Sequence, residues 1–197
     1  MEFAKYKKFA PIARRIVELN HEDVLSKLYN YVKVPFIPTF EEAIRVGRVL
    51  SATRNAVVAT HLTMEHYKTR KKEQHAVSLW FNPQGRGFLF DPNGEVDQEG
   101  IWVVYKYNNY ETMRRIFGIR TSAGVGPQID CPHTPGYIHN GGFCEFYNLL
   151  LMEQWYKDLG DHQANIEHFP SEHYEWMREA NMAEYSTSVL KRVFHDV

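Results

Sequence analysis

Along this sequence of 197 residues the pattern of apolar residues changes from helical spacing to strand-like runs and back to helical spacing. This order of elements restricts the possible folds more than any other feature. Apolar side chains three or four positions apart predict helices over residues 3–19, 21–34, 40–52, 110–119, 143–159 and 171–194. Short runs rich in Val, Phe, Trp and Tyr, bounded by Gly, Pro or Asn, predict strands over residues 55–62, 75–81, 87–91 and 101–107. A short extended piece is predicted over residues 125–129.

Helices followed by strands and then by helices are typical of an α+β fold, with a central mixed β-sheet flanked by helices. Hydrophobic residues make up 44% of the chain, enough to bury one sizeable core, so we expect a single domain over residues 1–197. Its parts would be a helical N-terminal region (1–53), a core (55–160) and a C-terminal helix (171–197). Thr39, followed by Glu41 and Glu42, predicts a capped start for the third helix.

The charge of the chain gives it no general attraction to nucleic acid or to anionic membranes. Lys and Arg total 23 against 24 Asp and Glu, for a net charge of -1. Any basic surface would be local, and two clusters could form one: Lys7, Lys8, Arg14 and Arg15, and Lys68, Arg70, Lys71 and Lys72. No apolar run approaches the length of a membrane span, and no apolar segment follows the charged N-terminus, so we expect a protein that stays inside a cell or particle.

Two cysteines, Cys131 and Cys144, are too few for a disulfide framework, so both thiols are expected to be free. Cys144 follows Asn-Gly-Gly-Phe and opens the apolar helix predicted over residues 143–159. A helix N-terminus stabilises a thiolate, and the glycines let a substrate backbone come close, so Cys144 is the candidate nucleophile. The alternatives are that Cys144 is a buried structural thiol, or that Cys131 is the nucleophile.

His75 opens one predicted strand and Asp91 closes the next, with the loop of residues 82–87 between them. If that loop makes an antiparallel hairpin, the start of the first strand and the end of the second are neighbours. A carboxylate on one nitrogen of the His75 ring would then leave the other nitrogen to take the proton of a thiol. The alternative is an ordinary residue at a strand end beside a simple Asp-Pro-Asn-Gly turn.

Other histidines and cysteines permit two further hypotheses. Cys131, His133 and His139 could ligate zinc, although their spacing matches no standard zinc motif and a fourth ligand is not evident. His61 is the alternative base if His75 has a structural role.

Three segments together resemble the adenovirus maturation protease family (adenain) and the wider group of cysteine peptidases that process ubiquitin-like proteins. They are His75-Ala-Val-Ser-Leu-Trp-Phe-Asn-Pro, Phe88-Leu-Phe-Asp-Pro-Asn-Gly, and Gly126-Pro-Gln followed by Gly-Gly-Phe-Cys144. The order His, acid, Gln, Cys adds to this resemblance, which covers roughly residues 70–160. It implies an adenain-like fold and a Cys144–His75–Asp91 triad, with Gln128 as the side-chain donor of the oxyanion hole beside the Cys144 N–H.

The resemblance also implies a biological role. Viral enzymes of this kind, including those of virophages and other large DNA viruses, cut capsid or other virion precursors at small or Gly-containing sites. It implies a monomer with no required cofactor, activation by DNA or a peptide, a location in the host cytoplasm or nucleus, and packaging in the virion. Alternatives are a deconjugating protease for ubiquitin-like proteins, an acyltransferase, or an inactive protein-binding module.

The sequence departs from the family pattern at three places. The interval from Gln128 to Cys144 is longer than family members keep, so residues 130–141 resemble an insertion. Glu145 stands where the family commonly has Gly. Ala76 stands where the deconjugating members usually have Trp, which favours the viral processing role.

Overall fold

The computed structural model of the chain describes residues 22–92, 102–107, 109–121, 144–155 and 182–194. In this part of the chain five helices flank one mixed sheet of six strands, so the α+β prediction is confirmed. The helices are α1 (Glu22–Asn30), α2 (Phe40–Leu50), α3 (Tyr110–Phe117), α4 (Cys144–Trp155) and α5 (Met182–Val193). The strands are β1 (Phe36–Ile37), β2 (Ala56–His66), β3 (Lys72–Phe81), β4 (Gly87–Phe90), β5 (Trp102–Val104) and β6 (Ile119–Thr121).

The sheet is built around the long antiparallel pair of β2 and β3, which stay in register from Ala56 opposite Phe81 to Glu65 opposite Lys72. The strand order is β1-β2-β3-β4-β6, and β5 also pairs with β2. The β1–β2 and β4–β6 pairs are parallel, whereas the remaining pairs are antiparallel. This combination makes the sheet mixed, as the sequence predicts.

Both faces of the sheet are covered, because alternate side chains of a strand point to opposite faces. On one face, Val57, Ala59 and Trp80 pack in a core with apolar side chains of α1, α4 and α5. On the other face, Val58, Leu62, Leu79 and Phe81 pack in a second core with residues of α2 and α3. The helix that begins at Cys144 is therefore part of the core on the first face.

The loop between β3 and β4 forms the predicted hairpin. Asn82 donates its N–H to the Arg86 carbonyl at 3.0 Å, and its side-chain oxygen accepts from the Arg86 N–H at 2.9 Å. Gly85 adopts a φ of 79°, a left-handed conformation that glycine adopts without a Cβ clash. The hairpin sets the register in which Ser78 lies opposite Phe90.

Helix α3 is shorter than the sequence predicts, and a strand follows it directly. Gly118 ends the helix with a φ of 63°, and its N–H bonds to the Arg114 carbonyl. Ile119, predicted as the last helical residue, instead begins β6, which pairs with β4. The short strands β1 and β6 were not predicted, because two or three residues are too few to show a strand period.

Two local predictions near the start of the described region are wrong in detail. Helix α1 ends at Asn30 rather than Val34, since a turn follows in which Lys33 has a φ of 57°. Thr39 occupies the N-cap position of α2, but its hydroxyl makes no capping hydrogen bond. The acidic Glu41 and Glu42 in the first turn still complement the helix N-terminus. The helix predicted over residues 3–19 and the extended piece over residues 125–129 lie outside the described residues.

Candidate active site

Strand β3 is longer than its neighbour β4, and that difference creates the site. Residues 78–81 of β3 pair with residues 87–90 of β4. Strand β4 stops at Phe90, whereas β3 extends back to Lys72. Asp91 therefore leaves the end of β4 beside the part of β3 that carries His75.

His75 and Asp91 meet as the hairpin predicts. The distance between His75 Nε2 and Asp91 Oδ1 is 2.6 Å, and the side chains are only 12% and 4% exposed. The carboxylate accepts the Nε2–H, which fixes the ring tautomer and leaves Nδ1 as the second functional nitrogen. Such a pair in a buried position is stronger than a surface ion pair, because little water screens it.

Tyr110, a residue that the sequence analysis missed, completes the surroundings of Asp91. Its hydroxyl donates a hydrogen bond to Asp91 Oδ2, the oxygen that His75 does not contact. Asn109 caps α3 by accepting the Thr112 N–H at 2.8 Å, which places Tyr110 at the first position of the helix. No sequence pattern links Tyr110 to Asp91, since the contact depends on how α3 docks on the sheet.

Cys144 is the first residue of α4, and its half-buried thiol interacts with the His75 side chain through a hydrogen bond. The structure thus brings Cys144, His75 and Asp91 together. The positive dipole end of a helix favours the thiolate form of a thiol in this position.

Asn148 anchors α4 beside His75. Its amide nitrogen donates to the Cys144 carbonyl at 2.8 Å and to the carbonyl of Ala76, the residue after His75, at 3.0 Å. Asn148 is fully buried, so this clamp operates away from competing water. It fixes the distance between the helix that carries the thiol and the strand that carries the imidazole.

Opposing effects act on the pKa of His75. Burial favours the neutral ring and acts to lower the pKa, but the negative charges of Asp91 and Cys144, together with hydrogen bonds to both, favour the protonated ring. The net result holds the pKa of His75 well above its ordinary value. An imidazolium beside a thiolate is the resting state expected of a nucleophilic Cys–His pair.

His61, the alternative base, lies in another arrangement on the same face of the sheet as α4. Its Nε2 contacts Glu145, the residue after Cys144, and the Tyr29 hydroxyl donates to the second oxygen of that carboxylate. No sequence pattern predicts the contact between His61 and Glu145, because 84 residues separate them.

The remaining predicted site residues lie outside the described part of the chain. Gln128 and Cys131 are among them, and so are His133 and His139 of the alternative zinc site. Within the described ranges no group of three or more His, Cys, Asp or Glu side chains is arranged to hold a metal ion.

Most of the basic cluster in the turn between β2 and β3 is already paired. Arg70 bonds Glu65 at 2.8 Å and Lys71 bonds Glu73 at 2.7 Å. The Lys72 ammonium lies 3.8 Å from the centre of the Tyr105 ring. The other basic cluster, at residues 7–15, lies outside the described ranges.

None of the five described helices is long and apolar enough to cross a membrane. Searches with the whole chain find no matching family model, no matching curated protein and no matching solved structure. The geometry of Cys144, His75 and Asp91 is therefore the main structural indication of what the site can do.

Proposed function

We propose that this chain is a cysteine peptidase in which Cys144 is the nucleophile, His75 the acid and base, and Asp91 the residue that orients His75. One observation carries the proposal. A thiol at a helix N-terminus interacts with an imidazole whose Nε2 lies 2.6 Å from a buried carboxylate. Each member has the position its role requires.

The chemistry follows in two steps, of which acylation is the first. The Cys144 thiolate attacks the carbonyl carbon of a peptide bond, a C–S bond forms, and the carbonyl electron pair moves to oxygen. When that oxyanion collapses, the C–N bond breaks and the leaving amine takes the proton of the His75 imidazolium. The products are a thioester on Cys144, a neutral His75 and a free amine.

Deacylation reverses the roles of the same groups. Neutral His75 accepts a proton from water, and the hydroxide equivalent attacks the thioester carbon. The C–S bond breaks, the carboxylic acid leaves, and the Cys144 thiolate and the His75 imidazolium are restored. Throughout, Asp91 holds the ring in one tautomer, while Tyr110 holds Asp91.

The oxyanion needs hydrogen-bond donors that face the developing negative charge. The backbone N–H of Cys144 lies in the first turn of α4, at the positive end of the helix dipole. The resemblance to adenain assigns the second donor to Gln128.

We further propose that the enzyme is a viral maturation protease with an adenain-like fold that cuts virion precursor proteins. The support comes from the sequence around the triad, which resembles adenain in the segments that carry His75, Asp91 and Gln128. A mixed sheet with a nucleophile at the start of a core helix is compatible with that fold.

Labelling with an electrophilic peptide tests the nucleophile. The full-length wild type and the Cys144→Ala and Cys131→Ala variants would be incubated with a glycine-terminated vinyl sulfone peptide and analysed by mass spectrometry. We expect an adduct in the wild type and in Cys131→Ala, and none in Cys144→Ala. A His75→Ala control should label much more slowly, because the thiol loses its partner.

Two outcomes would contradict the proposal. Labelling confined to Cys131 would move the active site to residues 130–141. Labelling of Cys144 without cleavage of any virion precursor or peptide, but with acyl transfer from a thioester to an added amine, would identify an acyltransferase instead.

A further inference from the structure

Glu145, the residue directly after the candidate nucleophile, is held at both carboxylate oxygens. The Tyr29 hydroxyl of α1 donates to Oε2, and His61 Nε2 of β2 contacts Oε1. The side chains of His61 and Glu145 are 8% and 12% exposed. A nearly buried carboxylate is therefore fixed from two separate elements in the first turn of the helix that carries Cys144.

Cys144 packs against the core cluster that contains Tyr29, and Glu145 is the next residue in the same helical turn. Burial is the largest cause of the raised pKa of Tyr29, and the negative charges of Glu145 and Cys144 follow. Tyr29 thus contacts Glu145 directly and belongs to the core cluster against which Cys144 packs. A carboxylate so near Cys144 opposes the formation of a thiolate unless a positive charge compensates it.

His61 is placed to provide that compensation. The edge of its ring packs against Phe36 at a centroid distance of 5.0 Å. The same histidine borders a surface pocket of about 600 Å³. The other charged groups that line this pocket are Glu22, Glu41, Lys72 and Lys106. Two further titratable groups act on this region from other elements: Tyr185 of α5 acts on Tyr29, and His75 of β3 interacts with Cys144.

We propose that Glu145 is a positioning residue for Cys144 and that His61 neutralises its carboxylate, so that this buried pair sets the charge beside the nucleophile. The inference rests on the proposed function of Cys144 and adds a second histidine to the reaction. In this arrangement His75 acts on the thiol directly, whereas His61 acts on it only through Glu145.

The two members of the pair should affect the thiol in opposite directions. In Glu145→Gln the negative charge is lost while an oxygen remains to accept from Tyr29, so the thiolate forms at lower pH. In His61→Gln the carboxylate is left without its compensating charge, so the thiolate forms at higher pH. The double variant should resemble the wild type, because it loses the negative and the positive charge together.

The test is the rate at which iodoacetamide alkylates Cys144 as a function of pH, measured on the full chain carrying Cys131→Ala so that one thiol remains. We expect the midpoint of the pH profile to fall in Glu145→Gln, with several-fold faster alkylation below the wild-type midpoint, and to rise in His61→Gln. His66→Gln, a change at the end of the same strand, is the matched control and should leave the midpoint unchanged. A merely structural role for Glu145 would not produce shifts of opposite sign.

Each outcome supports or overturns either the role of the Glu145–His61 pair or the peptidase proposal. An unchanged or raised midpoint of the alkylation profile in folded Glu145→Gln overturns the inference. If His61→Gln does not fold, the result for Glu145→Gln is sufficient to test it. If the opposite shifts occur but the wild type cleaves no peptide, the charge pair stands and the peptidase proposal fails. If the wild type cleaves peptides and neither midpoint moves, the peptidase proposal stands and the charge pair fails.

Discussion

Tyr110 donates a hydrogen bond to Oδ2 of Asp91, while His75 contacts Oδ1 of the same carboxylate. Asp91 is therefore held from α3 as well as from β3. The position of the His75 ring therefore depends on Tyr110 through Asp91. A change at Tyr110 should therefore affect both the stability of the fold and the reaction of Cys144.

Replacing Tyr110 with Phe removes the donor to a carboxylate that is only 4% exposed. Loss of such a hydrogen bond lowers the free energy of unfolding by about 1–3 kcal/mol. We expect that loss in urea denaturation and a lower kcat with little change in KM. Tyr107→Phe is a matched control, since Tyr107 bonds Glu41 in the same way. Tyr107→Phe should reduce stability without changing the rate at which Cys144 is alkylated. If Tyr107→Phe and Tyr110→Phe changed that rate equally, a role specific to Tyr110 would be contradicted.

Replacing Asp91 with Asn should move the alkaline limb of the pH–activity profile to lower pH. The carboxylate is one of the groups that raise the pKa of His75, so its removal lets the imidazolium lose its proton earlier. The wrong ring tautomer should also lower kcat, by up to about 10⁴-fold in comparable triads. The measurement is kcat/KM as a function of pH, and an unmoved alkaline limb would count against the pairing.

The same raised pKa has a consequence for stability with a definite sign. A protonated His75 stabilises the fold fully below the ordinary histidine pKa of about 6.5, as long as Asp91 is ionised. That contribution disappears as the pH rises through the higher pKa of the folded state. The stability advantage of the wild type over Asp91→Asn should therefore shrink toward alkaline pH.

Replacing Gln128 with Ala should slow acylation strongly if Gln128 supplies an oxyanion donor. Removal of one such donor typically reduces kcat by about 10²–10³-fold. The alkylation of Cys144 by iodoacetamide, which develops no oxyanion, should not change. An equal loss in both reactions would show that Gln128 supports the structure rather than the transition state.

Replacing Asn148 with Ala should loosen the clamp between α4 and β3. The buried hydrogen bond to the Ala76 carbonyl and the partly buried one to the Cys144 carbonyl are lost, and we expect about 1–3 kcal/mol less stability in urea denaturation. Thr60→Val is the control, since the buried Thr60 hydroxyl finds no hydrogen-bonding partner among the described residues. Thr60→Val should leave the free energy of unfolding unchanged or raise it. A loss of stability equal to that of Asn148→Ala would contradict this account.

Replacing Gly47 with Ala should destabilise the core on the face opposite Cys144. A Cβ at this position would overlap the ring of Phe81, which is fully buried and has no room to yield. Overpacking of this kind costs about 1–3 kcal/mol. Thermal unfolding would measure the loss, and the alkylation rate of the folded variant should match the wild type. An unchanged melting temperature would show that α2 can move outward at little cost.

The parts of the site that the sequence predicts are those whose geometry is local. His75 and Asp91 are 16 residues apart across one hairpin, so the turn at Asn82 and strand alternation suffice to bring them together. Cys144 is placed at a helix start by the glycines before it and the apolar residues after it.

The parts that the sequence does not predict depend on how helices dock. The contact of Asn148 with Ala76 joins residues 72 positions apart, and that of Tyr29 with Glu145 joins residues 116 apart. Hydrophobic periodicity tells which face of a helix is buried, but not which polar group it will meet there. The same limit explains why the contact between Tyr110 and Asp91 was missed.

The buried link from Asn148 to Ala76 also bears on when the site can exist during synthesis. A nascent chain that has emerged only through β4 already holds an imidazole and its carboxylate, but no thiol faces them. The site is completed when a segment 72 residues downstream closes a long loop onto β3, a step that is slow compared with local hairpin formation. A site assembled in this order gains its thiol only after the chain has been synthesised beyond Asn148.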